Sequence, residues 1–156
     1  MAVRKKIKRV LRSKVNIAIV VSRFNDFITK RLLNACWVEL KAKGLTDKQI
    51  TTVWVPGSFE IPVTALKLAQ KKNIDVVICL GSVIRGETYH FEVVANEAAH
   101  GIMQAGLQTG KPVIMGILTT DTITQAQKRA QNKGGVNKGR DTAVAAMEMV
   151  ALLKHL

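Results

Sequence analysis

A histidine and a glycine lie close together in the segment GSVIRGETYH, residues 81–90. A neutral imidazole at His90 could accept a proton during a reaction and return it, because histidine titrates near neutral pH. Gly86 would let a ligand approach the backbone closely, and the first amides of a following helix would be unpaired. The segment therefore predicts either an acid–base group beside an anion site, or a plain strand-to-helix turn in which His90 caps the helix.

Aromatic and acidic side chains follow two earlier apolar runs, in SRFN (22–25) and PGSFE (56–60). Phe24 and Phe59 offer flat apolar surfaces on which a ring could stack, and Glu60 offers a hydrogen-bond acceptor. These two segments are typical of a pocket for a small cyclic molecule.

Basic residues lie in and beside the glycine-rich stretch QNKGGVNKG, residues 131–139. They are Arg129, Lys133, Lys138 and Arg140. A flexible cationic loop suits an anionic or polyhydroxyl ligand, although each of these residues taken singly is more often a solvated surface charge. The turn at Gly86 is neither a Walker loop, since no GKS or GKT follows it, nor a GxGxxG motif.

The elements that must position these residues alternate between two kinds of segment. Nearly continuous apolar runs predict strands covered on both faces of a parallel sheet, at 15–21, 50–55, 75–81 and 112–118. Helical spacing predicts helices at 26–43, 60–72, 91–108, 122–131 and 140–154. Because open parallel sheets bind ligands beyond the carboxyl ends of their strands, the polar segments above should meet at one rim. The predicted fold class is α/β with a four-stranded parallel sheet.

The last predicted helix, 140–154, carries apolar side chains on nearly every side. A helix that is apolar all round must be covered all round, and a domain this small cannot easily do so alone. We therefore expect a homo-oligomer.

The chain has 156 residues and a formal charge of +13, with 47% hydrophobic and 22% charged residues. Residues 1–14 contain seven basic side chains and no acidic one. We divide the chain into a basic N-terminal arm, 1–14, and a single domain, 15–156. The arm is either a solvated segment or an anion-binding one; since it lacks interleaved aromatic residues, we do not expect a nucleic-acid partner.

No apolar run approaches the roughly 20 residues that cross a bilayer, and the basic start lacks the apolar block of a signal peptide. We expect a cytoplasmic protein with no membrane partner. Cys36 and Cys79 lie far apart and match no metal-ligand spacing, so we interpret both as reduced packing residues and expect no metal site.

Several of these motifs occur together in the order and spacing of one known family. They are SRFN, VPGSFEIP, GSVIRGETYHFEVVANE, PVIMGILTT, and NKG before an alanine-rich helix. Over residues 15–153 the chain resembles lumazine synthase, which carries out the penultimate step of riboflavin biosynthesis. The resemblance implies a flavodoxin-like three-layer α/β/α subunit that forms pentamers or multiples of pentamers, with active sites shared between neighbouring subunits.

The resemblance also implies the chemistry. The family condenses 5-amino-6-(D-ribitylamino)uracil with 3,4-dihydroxy-2-butanone 4-phosphate, and it releases 6,7-dimethyl-8-ribityllumazine, phosphate and water. It implies no metal or organic cofactor, and a functional link to riboflavin synthase. A flavin- or lumazine-binding assembly of the same fold, without catalysis, is the alternative.

Carried over position by position, the resemblance assigns a role to each residue of the site. His90 would be the catalytic acid–base. The pyrimidine and ribityl chain would contact Phe24, Ser58, Phe59, Glu60, Ser82, Val83 and Ile84. Glu87 and Thr88 would contact the butanone phosphate through their backbone amides, with Arg129 as countercharge. Met115 stands where many members have a phenylalanine that reaches the adjacent subunit's site, and Lys138, with Asp141 near it, would reach the heterocycle.

Overall fold

The computed structural model describes residues 15–132 and 134–156. The predicted basic arm, 1–14, and Lys133 of the cationic loop lie outside the described residues.

Within these residues, four parallel strands form one sheet in the order β2-β1-β3-β4. The strands are β1 (Ile17–Ser22), β2 (Ile50–Val55), β3 (Val76–Ile84) and β4 (Val113–Thr120). The prediction of a four-stranded parallel sheet is confirmed. Strand β3 continues beyond the predicted run because it pairs with β4 as far as Ile84 and Thr120.

The helices lie between and after the strands. They are α1 (Asp26–Ala42), α2 (Ile61–Ala69), α3 (His90–Thr109), α4 (Ile123–Arg129) and α5 (Lys138–Leu153), with short 3-10 helices at Asp47–Gln49 and Ser58–Glu60. Gly44 follows α1 with φ of 95°, a conformation that favours glycine. Helix α5 begins before its predicted start because the Asn137 side chain accepts a hydrogen bond from the Gly139 amide at 2.9 Å.

Alternating side chains of the central strands pack into two separate cores. On β1, Ile17, Ile19 and Val21 pack with α1 and α5, whereas Ala18 and Val20 pack with α2 and α3. All five are fully buried, as the continuous apolar run indicated. The predicted three-layer α/β/α arrangement is therefore confirmed.

Helix α5 is covered on one side within the single chain. Its buried positions, including Ala143, Ala146 and Met147, belong to the core shared with α1. Leu152 is 52% exposed and Leu153 37% exposed. The single chain therefore does not cover the helix on every side, which is the condition that led us to expect an oligomer.

None of the helices in the described part of the chain is long and apolar enough to cross a membrane.

Gly139 lies where α5 approaches α1 most closely. A Cβ at this position would overlap the backbone carbonyl of Leu32. We expect Gly139→Ala to lower the free energy of unfolding by about 1–3 kcal/mol, because backbone rather than a flexible side chain must shift. Chemical denaturation measures this change.

Gly106→Ala is the matched control, because a Cβ at Gly106 would meet its nearest atom, the carbonyl oxygen of Lys111, at 3.5 Å. Gly106 lies inside α3, so alanine there should leave the free energy of unfolding unchanged or raise it by up to about 1 kcal/mol. Equal effects of the two substitutions would contradict the steric argument.

Candidate active site

The carboxyl ends of β1, β2 and β3 meet around a cavity of about 720 Å³, which we call the aromatic cavity. The structure places most of the predicted site residues on its wall. They are Phe24, Ser58, Phe59, Glu60, Ser82, Val83, Ile84, Thr88 and His90. The wall also contains Gly86, which the sequence analysis placed at the possible anion site. Its other residues, which the sequence did not single out, are Pro56, Gly57, Phe91, Val93 and Val94.

The remaining predicted residues lie elsewhere. Met115, Arg129 and Lys138 line a second cavity of about 380 Å³ between β4 and α5, which we call the cationic groove. The two cavities have no lining residue in common. Glu87 lies on the loop between β3 and α3 but lines neither cavity. In a single chain, the predicted site is therefore divided into two parts.

Two aromatic rings of the aromatic cavity are largely uncovered. Phe24 is 71% exposed and Phe59 is 55% exposed. Large apolar rings exposed inside a concave wall can stack on a flat ligand, which would remove their apolar surface from water. This part of the cavity suits a planar ring.

Ser82 lines the aromatic cavity and carries a buried hydroxyl. The residue is 2% exposed, and its Oγ makes no hydrogen bond to any described residue. Because this oxygen is shielded from solvent, it is not itself exposed on the wall of the cavity. One oxygen of Glu60 is already engaged, since Oε2 accepts a hydrogen bond from the Gly57 amide at 2.8 Å.

His90 is the first residue of α3 and is exposed to solvent. Its backbone amide donates to the Thr88 hydroxyl at 3.4 Å. Its ring makes no hydrogen bond to the residues that the structure describes, so the alternative of a hydrogen-bonded capping histidine finds no support in the geometry. The N-cap residue Tyr89 makes no side-chain hydrogen bond to the start of α3. The nitrogens of the His90 ring are therefore available to a ligand.

Arg85 connects the loop that leads to His90 with two other elements, and nothing in the sequence pattern singled it out. Its Nε donates to Asp121 Oδ1 at 2.8 Å, and its Nη1 donates to Glu92 Oε1. The guanidinium carbon also lies 4.2 Å from the centroid of the Phe91 ring. With its amide bonded to the Thr120 carbonyl at 2.9 Å, Arg85 joins the loop to β4 and to the first turn of α3.

The cationic groove runs along β4, an edge strand of the sheet. Lys138 Nζ lies 2.9 Å from Asp141 Oδ2, whereas Arg129 makes no ion pair with a described residue and donates to the Gln125 carbonyl at 3.0 Å. Arg140, which the sequence grouped with these cations, donates to the Gly135 carbonyl at 3.4 Å and does not line the groove. Arg129 is thus a cation available to an anion.

The described residues contain no group of three or more His, Cys, Asp or Glu side chains that could hold a metal ion. Cys36 and Cys79 are free and buried, as predicted. Burial raises the pKa of the Cys36 thiol to about 12 and also raises the pKa of the Cys79 thiol, so both stay protonated at neutral pH.

The hydrogen bond from Arg85 lowers the pKa of the Glu92 carboxyl below its ordinary value. The stabilising effect of this pair is therefore present above the ordinary pKa of glutamate and is lost as the pH falls through the lowered value. Substituting Arg85→Met should move the pKa of Glu92 upward, which an NMR titration of its carboxyl carbon measures.

Asp26 provides an internal control for that titration, because a hydrogen bond from Lys30 lowers the pKa of its carboxyl. The pKa of Asp26 should not change in the Arg85→Met variant. If the pKa of Glu92 also stayed where it was, the ion pair would not hold the loop in solution.

A comparison with protein families identifies the chain. The family model described as 6,7-dimethyl-8-ribityllumazine synthase matches residues 14–154. The match covers nearly the whole chain, and the four-stranded α/β/α fold agrees with it. The chain belongs to this family and is accordingly an enzyme, a transferase of riboflavin biosynthesis.

Proposed function

We propose that the chain condenses 5-amino-6-(D-ribitylamino)uracil with 3,4-dihydroxy-2-butanone 4-phosphate, releasing 6,7-dimethyl-8-ribityllumazine, phosphate and water. The observation that carries the proposal is the aromatic cavity, where exposed phenyl rings, the acceptor Glu60 and His90 surround one space of about 720 Å³. A mostly apolar cavity with a few convergent polar groups suits a flat heterocycle with polar edges.

In this proposal the pyrimidine stacks on Phe24. Ser82 and the backbone of Val83 and Ile84 bind the polar edge of the ring, since these residues form the wall at the end of β3. Ser58, Phe59 and Glu60 bind the ribityl chain from the short 3-10 helix that follows β2. Apart from Phe24, which lies in the turn after β1, these residues lie at the end of β3 or on the short 3-10 helix, which hold their backbones in fixed relative positions.

The chemistry needs two reactants in contact and a proton shuttle. The primary amine of the uracil attacks the butanone carbonyl, and water leaves as the imine forms. A proton then leaves C3 of the butanone as phosphate leaves C4, and the resulting enol tautomerises to a ketone at C3. The ribitylamino nitrogen attacks this new ketone, and a second water leaves as the ring closes. His90 accepts and returns protons in these steps, for which an exposed imidazole at the mouth of the cavity is suitably placed.

The phosphate group poses a problem for a single chain. The backbone around Gly86 and Thr88 offers amides, but the wall of the aromatic cavity contains no Lys or Arg. Arg129 and Lys138 lie in the cationic groove, whose wall contains no aromatic residue. The aromatic cavity thus offers rings for stacking but no cation for the phosphate, whereas the cationic groove offers cations but no aromatic ring.

We infer from this division that the site forms between two copies of the domain, 15–156. The aromatic cavity of one subunit would face the cationic groove of the next, so that Arg129 neutralises the phosphate and Lys138 approaches the heterocycle. Met115, which is 44% exposed on β4, would cover the ring with its thioether. A closed ring of such head-to-tail contacts agrees with the pentamer that the family resemblance implies.

The first experiment measures lumazine formation by absorbance and fluorescence, with each substrate omitted in turn. The His90→Ala variant should turn over between about tenfold and a hundredfold more slowly, because positioning of the two reactants survives the loss of the proton shuttle. His100→Ala removes an exposed histidine from the same helix and should keep the full rate.

Equal rates for wild type and His90→Ala would remove His90 from the mechanism. Tight binding of a lumazine or flavin by wild type without any product would support the alternative, a binding assembly without catalysis.

If the site is shared between neighbouring subunits, mixed oligomers of two impaired variants should regain part of the catalytic activity. His90→Ala lacks the proton shuttle and Arg129→Ala lacks the phosphate cation, so each should work poorly at limiting butanone phosphate. When the two are refolded together in equal amounts, about a quarter of the sites between neighbours combine an intact cavity with an intact groove. The mixture should therefore be clearly more active than the mean of its parents.

The control is a chain with both substitutions, refolded with the His90→Ala chain. That mixture contains no intact His90, so its activity should not rise. A His90→Ala and Arg129→Ala mixture that only matched the mean of its parents would show that each site is complete within one chain.

A further inference from the structure

Asn25 has an unusual backbone conformation beside the aromatic cavity. Its φ is 59° and its ψ is 44°, and it is the one non-glycine residue with a positive φ in the described part of the chain. Asparagine tolerates this left-handed conformation better than most residues with a side chain. Asn25 itself does not line the cavity.

Hydrogen bonds join the short segment around Asn25 to three elements. The Asn25 side-chain amide donates to the Ser82 carbonyl at the end of β3, over 2.9 Å. The Arg23 and Phe24 amides donate to the carbonyls of Val55 and Pro56 at the end of β2, over 2.8 and 3.0 Å. The Asn25 carbonyl accepts from the first turn of α1, at Ile28 and Thr29.

These contacts fix the backbone of Phe24, although its ring is not held by packing. The ring is 71% exposed, so its position depends on the backbone that carries it. Ser82 lines the same cavity and lies at the end of β3. The bond from Asn25 to the Ser82 carbonyl is the direct side-chain link between these two parts of the wall.

We propose that Asn25 is a positioning residue that sets the spacing between the Phe24 ring and the wall at Ser82, and thereby the affinity for the planar substrate. The identity of that substrate rests on the proposed function. Asn25 acts through its neighbours, because its own side chain is engaged with the Ser82 carbonyl and lies outside the cavity wall.

Three substitutions at Asn25 distinguish the effect of its backbone conformation from the effect of its side-chain hydrogen bond. Asn25→Asp keeps the size and the tolerance for a positive φ, but it places a carboxylate oxygen against the Ser82 carbonyl. Asn25→Gly keeps the backbone conformation and only removes the hydrogen bond. Asn25→Ala removes the bond and also disfavours the backbone conformation. Asn96→Asp, the same chemical change at an exposed position of α3, is the control.

Calorimetry measures binding of 5-amino-6-(D-ribitylamino)uracil alone. We expect about tenfold weaker binding for Asn25→Asp and a smaller loss for Asn25→Gly, since a hydrogen bond is exchanged for repulsion in the first and only removed in the second. The KM for butanone phosphate should stay within about twofold of wild type, because the phosphate contacts lie elsewhere. Asn96→Asp should bind like wild type.

A double-mutant cycle tests the route of the effect. In a Phe24→Ala background, Asn25→Asp should weaken binding by much less than tenfold, because the ring that it positions is gone. Additive effects of the two substitutions, or unchanged binding in Asn25→Asp, would overturn the proposal.

Hydrogen exchange provides a readout that needs no substrate. The Arg23 and Phe24 amides should exchange faster in Asn25→Asp, while the amides of β1 keep their protection. Unchanged exchange at both amides would overturn the proposal. If wild type made no product and bound no uracil, the proposed function would be wrong, and exchange at these two amides would still decide the role of Asn25.

Discussion

The parallel pairing of β1 with both β2 and β3 is the constraint on which the rest of the structure depends. Parallel pairing brings the carboxyl ends of these strands to one edge of the sheet. Strand β1 is buried on both faces, so residues that could contact a ligand occur only after it ends. There Ser22 is followed by Arg23, Phe24 and Asn25. The aromatic cavity is thus a consequence of burying the sheet, with recognition groups placed where the strands stop.

The sequence predicted the sheet and its rim well, and the reason lies in the strength of the pattern. Runs such as that of β1 are apolar without interruption, which indicates burial on both faces. The segments that follow them carried Phe24, Phe59 and His90, and the structure brings all three to one cavity. Family resemblance named the roles of these residues, whereas the residue pattern gave only the kind of chemistry.

Other features could not be predicted from the sequence, because they depend on contacts between distant segments. Arg85 looks like an ordinary loop arginine until the fold brings Asp121 and Glu92 to it from two other elements. Asn25 looks like a helix-start residue until its side chain is seen to reach the Ser82 carbonyl, 57 positions further along the chain. The separation of Arg129 from the aromatic cavity also depends on the placement of α4 beside β4, which periodicity does not report.

The separation of the two cavities also suggests how His90, although exposed in the single chain, could act as an acid–base catalyst. In the single chain His90 is open to water, where charges and dipoles act weakly because the solvent screens them. In the proposed assembly, the groove of a neighbour would cover His90 and bring Arg129 toward the phosphate at the same time. The neighbour would exclude water from His90 and would also bring a positive charge close to the phosphate. Both changes lower the free-energy cost of the charge that develops at the reacting atoms. Assembly would then be a condition for catalysis, because the single chain supplies neither the cover nor the countercharge for the aromatic cavity.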